Sequence, residues 1–214
     1  DSHELARRAD IALYEAKAGG RNRAIVFEES MNELLQNRKT IEAELRDALR
    51  RKHQLSVAFQ PLFAQDRTII GAEALARWNH PERGAISPVE FIPLAEQTGL
   101  ILPLGQHILH TACQQLVRWA DKQETAHLTI AVNVSARQFR QPDFAAQVLQ
   151  TLRETGANPK RLKLELTESL LADHTEARFR GVLVALKQLG VTLAAHERGA
   201  DDTCLVHSAH LPAH

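Results

Sequence analysis

The sequence has little sulfur and few aromatic residues. Two cysteines, one methionine and one tyrosine occur in 214 residues, and Phe, Trp and Tyr together make up 5%. Cys113 and Cys204 lie far apart and form no Cys-x-x-Cys pair, so the sequence indicates no disulfide framework. This pattern favours a reduced, intracellular protein.

An excess of charge of one sign and a long apolar run are also missing. Lys plus Arg and Asp plus Glu number 26 each, so no basic field attracts a nucleic-acid polymer and local groups must hold any anionic ligand. No apolar run approaches the roughly 20 residues of a membrane span, and no signal peptide is recognisable. We expect a cytoplasmic protein, or the cytoplasmic part of a longer membrane-anchored one. The chain opens at Asp1 rather than Met, which predicts a piece of something longer.

The first fifty residues predict helices without pocket chemistry. Residues 4–18 carry an apolar stripe at helical spacing, and Gly19-Gly20 supplies a stop. A short strand is predicted over residues 24–27. Residues 41–51 form a second, charged helix with one apolar face. Its expected role is to connect two domains.

Strands and helices alternate from Leu55 onward. The predicted strands are residues 56–59, 69–77, 129–133, 162–166 and 191–194. The predicted helices are residues 88–98, capped by Ser87 in a capping box with Glu90, then 105–120, 144–154 and 176–189. This alternation predicts an α/β fold with a parallel sheet or barrel. Residues 55–214 number 160, well short of the roughly 250 of a complete TIM barrel, so we expect an incomplete barrel with about five strands.

Polar side chains lie at or near the ends of three predicted strands. Glu73 with Arg77, then Asn133, then Glu165 with Glu168 would face an active site at the carboxyl ends of a barrel. Two carboxylates and an amide oxygen suit Mg²⁺ or Mn²⁺, and a neighbouring arginine can hold a phosphate. Simpler roles stay open, because a Glu or Arg at a strand end is often only solvated or paired. Asn133 could bond the backbone, and Glu168 could cap the next helix.

Five stretches of this second part carry long motifs. They are Phe59-Gln60-Pro61, Gly71-Ala72-Glu73-Ala74-Leu75-Ala76-Arg77-Trp78-Asn79-His80-Pro81, residues 86–101 (ISPVEFIPLAEQTGLI), Val132-Asn133-Val134-Ser135-Ala136-Arg137-Gln138 and Leu164-Glu165-Leu166-Thr167-Glu168-Ser169. Together they resemble the EAL family of cyclic-di-GMP phosphodiesterases. The resemblance implies a TIM-like barrel of EAL type, with Mg²⁺ or Mn²⁺ as cofactor. It also implies hydrolysis of cyclic di-GMP to linear pGpG, and family members often form homodimers.

The same resemblance implies roles for individual residues. The metal-ligand positions are taken by Glu73, Asn133 and Glu165. Arg77 takes the position that contacts a substrate phosphate, and Gln60 lies at the nucleotide pocket. Glu73 also counts as catalytic, together with Glu168, which corresponds to the glutamate that braces the loop over the metals.

Residues 9–17 (ADIALYEAK) and Gly20-Arg21-Asn22-Arg23 resemble the last helix and strand of a GGDEF diguanylate-cyclase domain. None of the cyclase's catalytic motif is present. We therefore expect three regions: residues 1–32 as the end of a GGDEF-like domain, 33–54 as a linker helix and 55–214 as a partial EAL domain.

The sequence departs from the EAL pattern where the family has Asp-Asp-Phe-Gly-Thr-Gly. The chain has Ala195-His196-Glu197-Arg198-Gly199-Ala200 there, which puts His196 and Glu197 on the aspartate positions. They could still bind metal, with a preference shifted toward Zn²⁺ or Mn²⁺, or this stretch binds nothing. A later lysine, glutamate and glutamine of the family are missing as well.

We therefore expect weak activity or none. The chain could be a fragment of a complete enzyme, the product of a truncated gene, or a repurposed module that binds cyclic di-GMP or a protein partner without hydrolysis. A remnant unable to fold alone is a further alternative.

Overall fold

A computed structural model describes residues 2–18, 22–51, 53–167 and 177–196. The chain divides into two units, residues 1–50 and 51–214. The assignment of 1–32, 33–54 and 55–214 to particular domains stays a prediction. In the part of the chain that the structure describes, no helix is both long and apolar enough to cross a membrane.

The first unit holds helix α1 (Ser2–Ala18) and most of helix α2 (Glu29–Arg51). Arg7 donates to both carboxylate oxygens of Glu4 and also to Asn32 on α2. Hydrogen bonds from Arg7 and then Arg8 lower the pKa of Glu4 to about 2. Charged pairs thus supplement the apolar stripe in this unit.

Two predictions for this unit were wrong. Residues 23–28 form no strand, and Val26 is 83% exposed, because an extended segment becomes a strand only when another strand pairs with its backbone. Helix α2 begins at Glu29 rather than near residue 41. The apolar stripe starts late, with Ile41, but the preceding residues are mostly good helix formers and extend the helix without it.

The second unit contains a mixed sheet with helices between its parallel strands. Its strands are β1 (Leu55–Phe63), β2 (Ile69–His80), β3 (Gly84–Ile86), β4 (Thr129–Val134), β5 (Leu162–Thr167) and β6 (Thr192–His196). The order is β1-β2-β4-β5-β6, with β3 on β2. Strands β2, β4, β5 and β6 are parallel, whereas β1 and β3 are antiparallel to β2. The α/β prediction is confirmed, and the short strand β3 was missed.

The helices of this unit mostly match the predicted ones. They are α3 (Pro88–Thr98), α4 (Ile101–Ala120), α5 (Ala136–Phe139), α6 (Phe144–Thr155), a 3₁₀ turn (Pro159–Arg161) and α7 (Ala177–Gln188). Helix α4 begins four residues earlier than predicted, and α5 was missed. Ser87 does precede α3, but its side chain makes no capping hydrogen bond, so the predicted capping box is wrong. Gly99 ends α3 with a φ of 84°, a conformation that glycine adopts without strain.

The alternation of side chains along the strands separates the core from the site. On β5, Leu162, Leu164 and Leu166 are fully buried on one face, and Lys163 and Glu165 lie on the other. Helix α4 contributes a row of buried residues to the core, including Cys113, whose thiol pKa burial raises to about 12. The core therefore occupies one face of the sheet, and the polar residues of interest share the opposite face.

Candidate active site

A cavity of about 550 Å³ opens at the carboxyl ends of the parallel strands. Its polar lining consists of Glu73, Arg77, Glu96, Asn133, Ser135, Gln138, Glu165 and Thr167. Its apolar wall is formed by Pro88, Val89, Ile92 and Pro93 of α3 and by Ile101 and Ile108 of α4. One side of the cavity can therefore hold charge, and the other offers a flat, apolar surface.

Strand pairing brings three predicted residues together in this cavity. Glu73 pairs with Ala131 in the β2–β4 register, and Asn133 pairs with Glu165 in the β4–β5 register. Asn133 Nδ2 donates a hydrogen bond of 2.5 Å to Glu73 Oε1. Three consecutive parallel strands thus each contribute an oxygen-bearing side chain to one wall.

Glu165 is more buried than Glu73 and Asn133 on the same wall. It is 7% exposed, and Lys163 Nζ lies 3.1 Å from its Oε1. Sequence reasoning missed Lys163, although the strand period of two places it on the same face as Glu165. The ammonium offsets part of the cost of removing this carboxylate from water.

Arg77 and Gln60 differ in their position relative to the cavity. Arg77 is half-buried, lines the cavity and donates to the Ala76 carbonyl at 3.0 Å. Gln60 pairs with Glu73 across the β1–β2 ladder and so shares its face. Gln60 is exposed and does not line the cavity. The roles predicted for both stay predictions.

The other candidate residues fall at the edge of the described structure or beyond it. The backbone of His196 ends β6 and pairs with Thr167 in the parallel register. Glu168 and Glu197 lie outside the described residues. Their predicted roles stay predictions.

A capping box fixes the segment that follows Asn133. Ser135 precedes α5, its hydroxyl accepts from Gln138 N at 3.2 Å, and Gln138 Oε1 accepts from Ser135 N at 3.1 Å. Gln138 packs so closely on α4 that a Cβ on Gly105 would lie 1.9 Å from Gln138 Nε2. The chain after Asn133 is thereby held against α4.

Arg137 ties the same segment to the end of α3. Its guanidinium donates to the carbonyl oxygens of Glu96 at 2.6 Å and Gln97 at 3.1 Å. These carbonyls belong to the last turn of the helix, where backbone acceptors lack helical partners and favour a cation. Arg137 thus links α3, which belongs to the apolar wall, to the segment that follows Asn133. The sequence did not predict this contact.

The donors of the polar wall fit a hard divalent cation. Carboxylate oxygens of Glu73 and Glu165 and the amide oxygen of Asn133 are the kind of ligand that Mg²⁺ and Mn²⁺ prefer. Within the described ranges, no three His, Cys, Asp or Glu side chains form a group that could hold a metal. An octahedral Mg²⁺ site takes six donors, so these three side chains can supply only part of such a coordination shell.

Comparisons with known proteins find a matching family and similar sequences. The EAL domain family matches residues 42–214. The bifunctional diguanylate cyclase/cyclic di-GMP phosphodiesterase MucR of Pseudomonas aeruginosa is 40% identical over 212 residues, covering 99% of this chain and 30% of MucR. The cyclic di-GMP phosphodiesterase PdeR of Escherichia coli is 35% identical over 212 residues, covering 99% of this chain and 32% of PdeR. The chain thus spans about a third of the length of these relatives.

Solved structures show the same fold. The PaMucR phosphodiesterase in its c-di-GMP complex is 38% identical, with a TM-score of 0.69, and the match covers 77% of this chain and 66% of that one. The FimX EAL domain of Xanthomonas citri, in complex with c-diGMP, is 20% identical with a TM-score of 0.64, over 77% of this chain and 62% of that one. The partial parallel sheet predicted from sequence is confirmed as the sheet of this fold.

Proposed function

Because the chain belongs to the EAL domain family, we propose that residues 55–214 carry part of the active site of a metal-dependent phosphodiesterase for cyclic di-GMP. The chain is a homologue of the cyclic di-GMP phosphodiesterases MucR and PdeR. The proposed reaction is hydrolysis to linear pGpG. We expect at most weak activity from this chain, because His196 and Glu197 stand where the family has paired aspartates.

The observation that carries the proposal is the contact between Glu73 and Asn133, with Glu165 beside them on the next strand. All three line one cavity of about 550 Å³. In this proposal they hold a Mg²⁺ or Mn²⁺ ion. Such an ion, when bound, polarises a phosphodiester and makes a bound water more acidic.

The remaining walls would hold the substrate. Arg77 lies four residues beyond Glu73 on the same strand and face, where its guanidinium can pair with a phosphate oxygen. The apolar wall of α3 and α4 offers a surface on which a purine can lie and from which water is excluded. Glu168 would support the loop over the site, and Gln60 would contact the nucleotide from β1.

The test is to incubate the purified chain with cyclic di-GMP and Mn²⁺ and to measure binding and linear product separately. We expect binding, with slow production of pGpG. Glu73→Ala should remove the product, because it removes a metal ligand and the acceptor of the Asn133 hydrogen bond. The matched control is Glu124→Ala, which removes an exposed carboxylate outside the cavity and should change nothing. Product formation that survives Glu73→Ala would contradict the proposal.

A second candidate is a module that binds cyclic di-GMP or a protein partner without hydrolysis. It is favoured by His196-Glu197, which stand where the family has paired aspartates. Binding of cyclic di-GMP without product, at any Mn²⁺ concentration, would select this candidate. Residues 1–32 are proposed to be the end of a GGDEF-like domain, in line with the 99% of the chain that aligns with MucR.

A further inference from the structure

Lys163 is a largely buried lysine for which the proposed reaction gives no role. Its Nζ lies 3.1 Å from Glu165 Oε1, and the two side chains are 15% and 8% exposed. Lys163 is not among the residues that line the cavity, whereas Glu165 is. It lies two residues before Glu165 on β5 and so shares its face of the sheet.

The neighbouring strands leave room for this arrangement. Lys163 pairs with Ala131 on β4 and with Thr192 on β6, and residues paired in this way share a face of the sheet. Both neighbours are small, and a long side chain can lie over them. The ammonium therefore lies over the sheet beside a carboxylate, whereas the charged groups of most lysines extend into water.

We propose that Lys163 is the resident counter-ion of the site, a positioning residue that holds Glu165 in the metal-free protein and weakens the binding of a divalent cation there. The inference rests on the metal site of the proposed function. The site holds two carboxylates, Glu73 and Glu165, and Lys163 neutralises one of them. A divalent cation on Glu165 would lie within a few ångströms of the ammonium and be repelled by it.

The sign of the expected effect distinguishes this role from a purely structural one. If Lys163 only supported the fold, its loss would leave metal binding unchanged or weaker. If it is the resident counter-ion, Lys163→Met should tighten Mn²⁺ binding by at least about 10-fold, since repulsion between a divalent and a single charge about 5 Å apart corresponds to that factor even in a water-like dielectric. Lys163→Arg keeps the charge and should bind Mn²⁺ as the unmodified chain does.

The experiment is a Mn²⁺ titration of the whole 214-residue chain, in which electron paramagnetic resonance measures the free hexaaqua ion. Lys160→Met is the matched control, because it removes the same charge from an exposed position just before β5 and should leave the affinity unchanged. The double variant Lys163→Met/Glu165→Gln should lose the gain in Mn²⁺ affinity, because the Glu165 carboxylate that the cation would contact is gone. Circular dichroism confirms that each variant is folded at the temperature of the titration.

The outcomes separate this inference from the proposed function. Tighter Mn²⁺ binding by Lys163→Met, but not by Lys163→Arg or Lys160→Met, supports the resident counter-ion. Equal or weaker binding in Lys163→Met, beside measurable binding by the unmodified chain, overturns the counter-ion and leaves the metal site standing. Absence of Mn²⁺ binding in every variant overturns the metal site and the counter-ion with it. If Lys163→Met is unfolded, Lys163→Gln is titrated in its place and is held to the same outcomes.

Discussion

On the β2 and β4 side of the cavity, Glu73 is half-buried and accepts a hydrogen bond from the uncharged amide of Asn133. On the β5 side, Glu165 is 7% exposed and lies beside the ammonium group of Lys163. Water reaches the first carboxylate and hardly reaches the second. Losing a partner costs little where water can replace it and much where water is excluded. Two carboxylates on the same wall of one cavity should therefore respond very differently to the same kind of substitution.

The largest expected effect follows from removing the charged partner. Lys163→Met leaves Glu165 buried without its ammonium, and the free energy of unfolding should fall by about 3 kcal/mol, as for other buried pairs that lose one member. Urea denaturation of the metal-free protein measures this loss. Lys163→Met/Glu165→Leu replaces the whole pair by apolar groups and should recover most of the stability. If the free energy of unfolding of Lys163→Met falls by less than about 1 kcal/mol, water reaches the carboxylates of Glu73 and Glu165 alike.

An intermediate loss of stability is expected when the packing of Gln138, which supports the β4 side of the cavity, is disturbed. Gly105→Ala would place a Cβ 1.9 Å from Gln138 Nε2, so Gln138 would have to leave its hydrogen bond with Ser135. Overpacking and a lost cap together should cost about 2 kcal/mol in the same urea experiment.

Gly181→Ala is the matched control for this helix substitution. Nothing lies within 4 Å of a Cβ at Gly181 of α7, so alanine there should be neutral or slightly stabilising, as in other exposed helix positions. Similar losses from both alanines would show that Gln138 moves aside freely and that the capping box does not hold the β4 side.

Much of the difference between the β2–β4 side and the β5 side of the cavity was predictable from the alternation of side chains along the strands. That pattern predicted Glu73, Asn133 and Glu165 at successive strand ends, and parallel pairing then brought them to one wall. Lys163 shares the face of Glu165 by the same rule. The sequence did not single it out, because its burial, which decides its importance, depends on which strands flank β5.

Capping and tertiary contacts were less accessible to sequence reasoning. Ser87 and Glu90 have the spacing of a capping box, but the Ser87 side chain makes no such bond. Ser135 and Gln138 have the same spacing and form one. A spacing rule permits both boxes, and packing of Gln138 on α4 selects the second. The contacts of Arg137 with Glu96 and Gln97 cross 40 residues or more of chain, and no local pattern predicts them.

The smallest expected effect on stability is that of Asn133→Ala. Glu73 is half-buried, so water can replace the lost amide, and the free energy of unfolding should fall by only about 0.5 kcal/mol. Asn79→Ala, on an exposed asparagine of β2 outside the cavity, is the control.

Metal affinity makes this last comparison sharper than stability does. Asn133→Ala removes a proposed ligand oxygen and should weaken Mn²⁺ binding, while Lys163→Met removes a repelling charge and should tighten it. The variant that hardly changes stability should therefore lose affinity, and the variant that costs most stability should gain it. If both substitutions shift Mn²⁺ affinity in the same direction, the two sides differ in burial alone, and Lys163 supports the fold without opposing the metal.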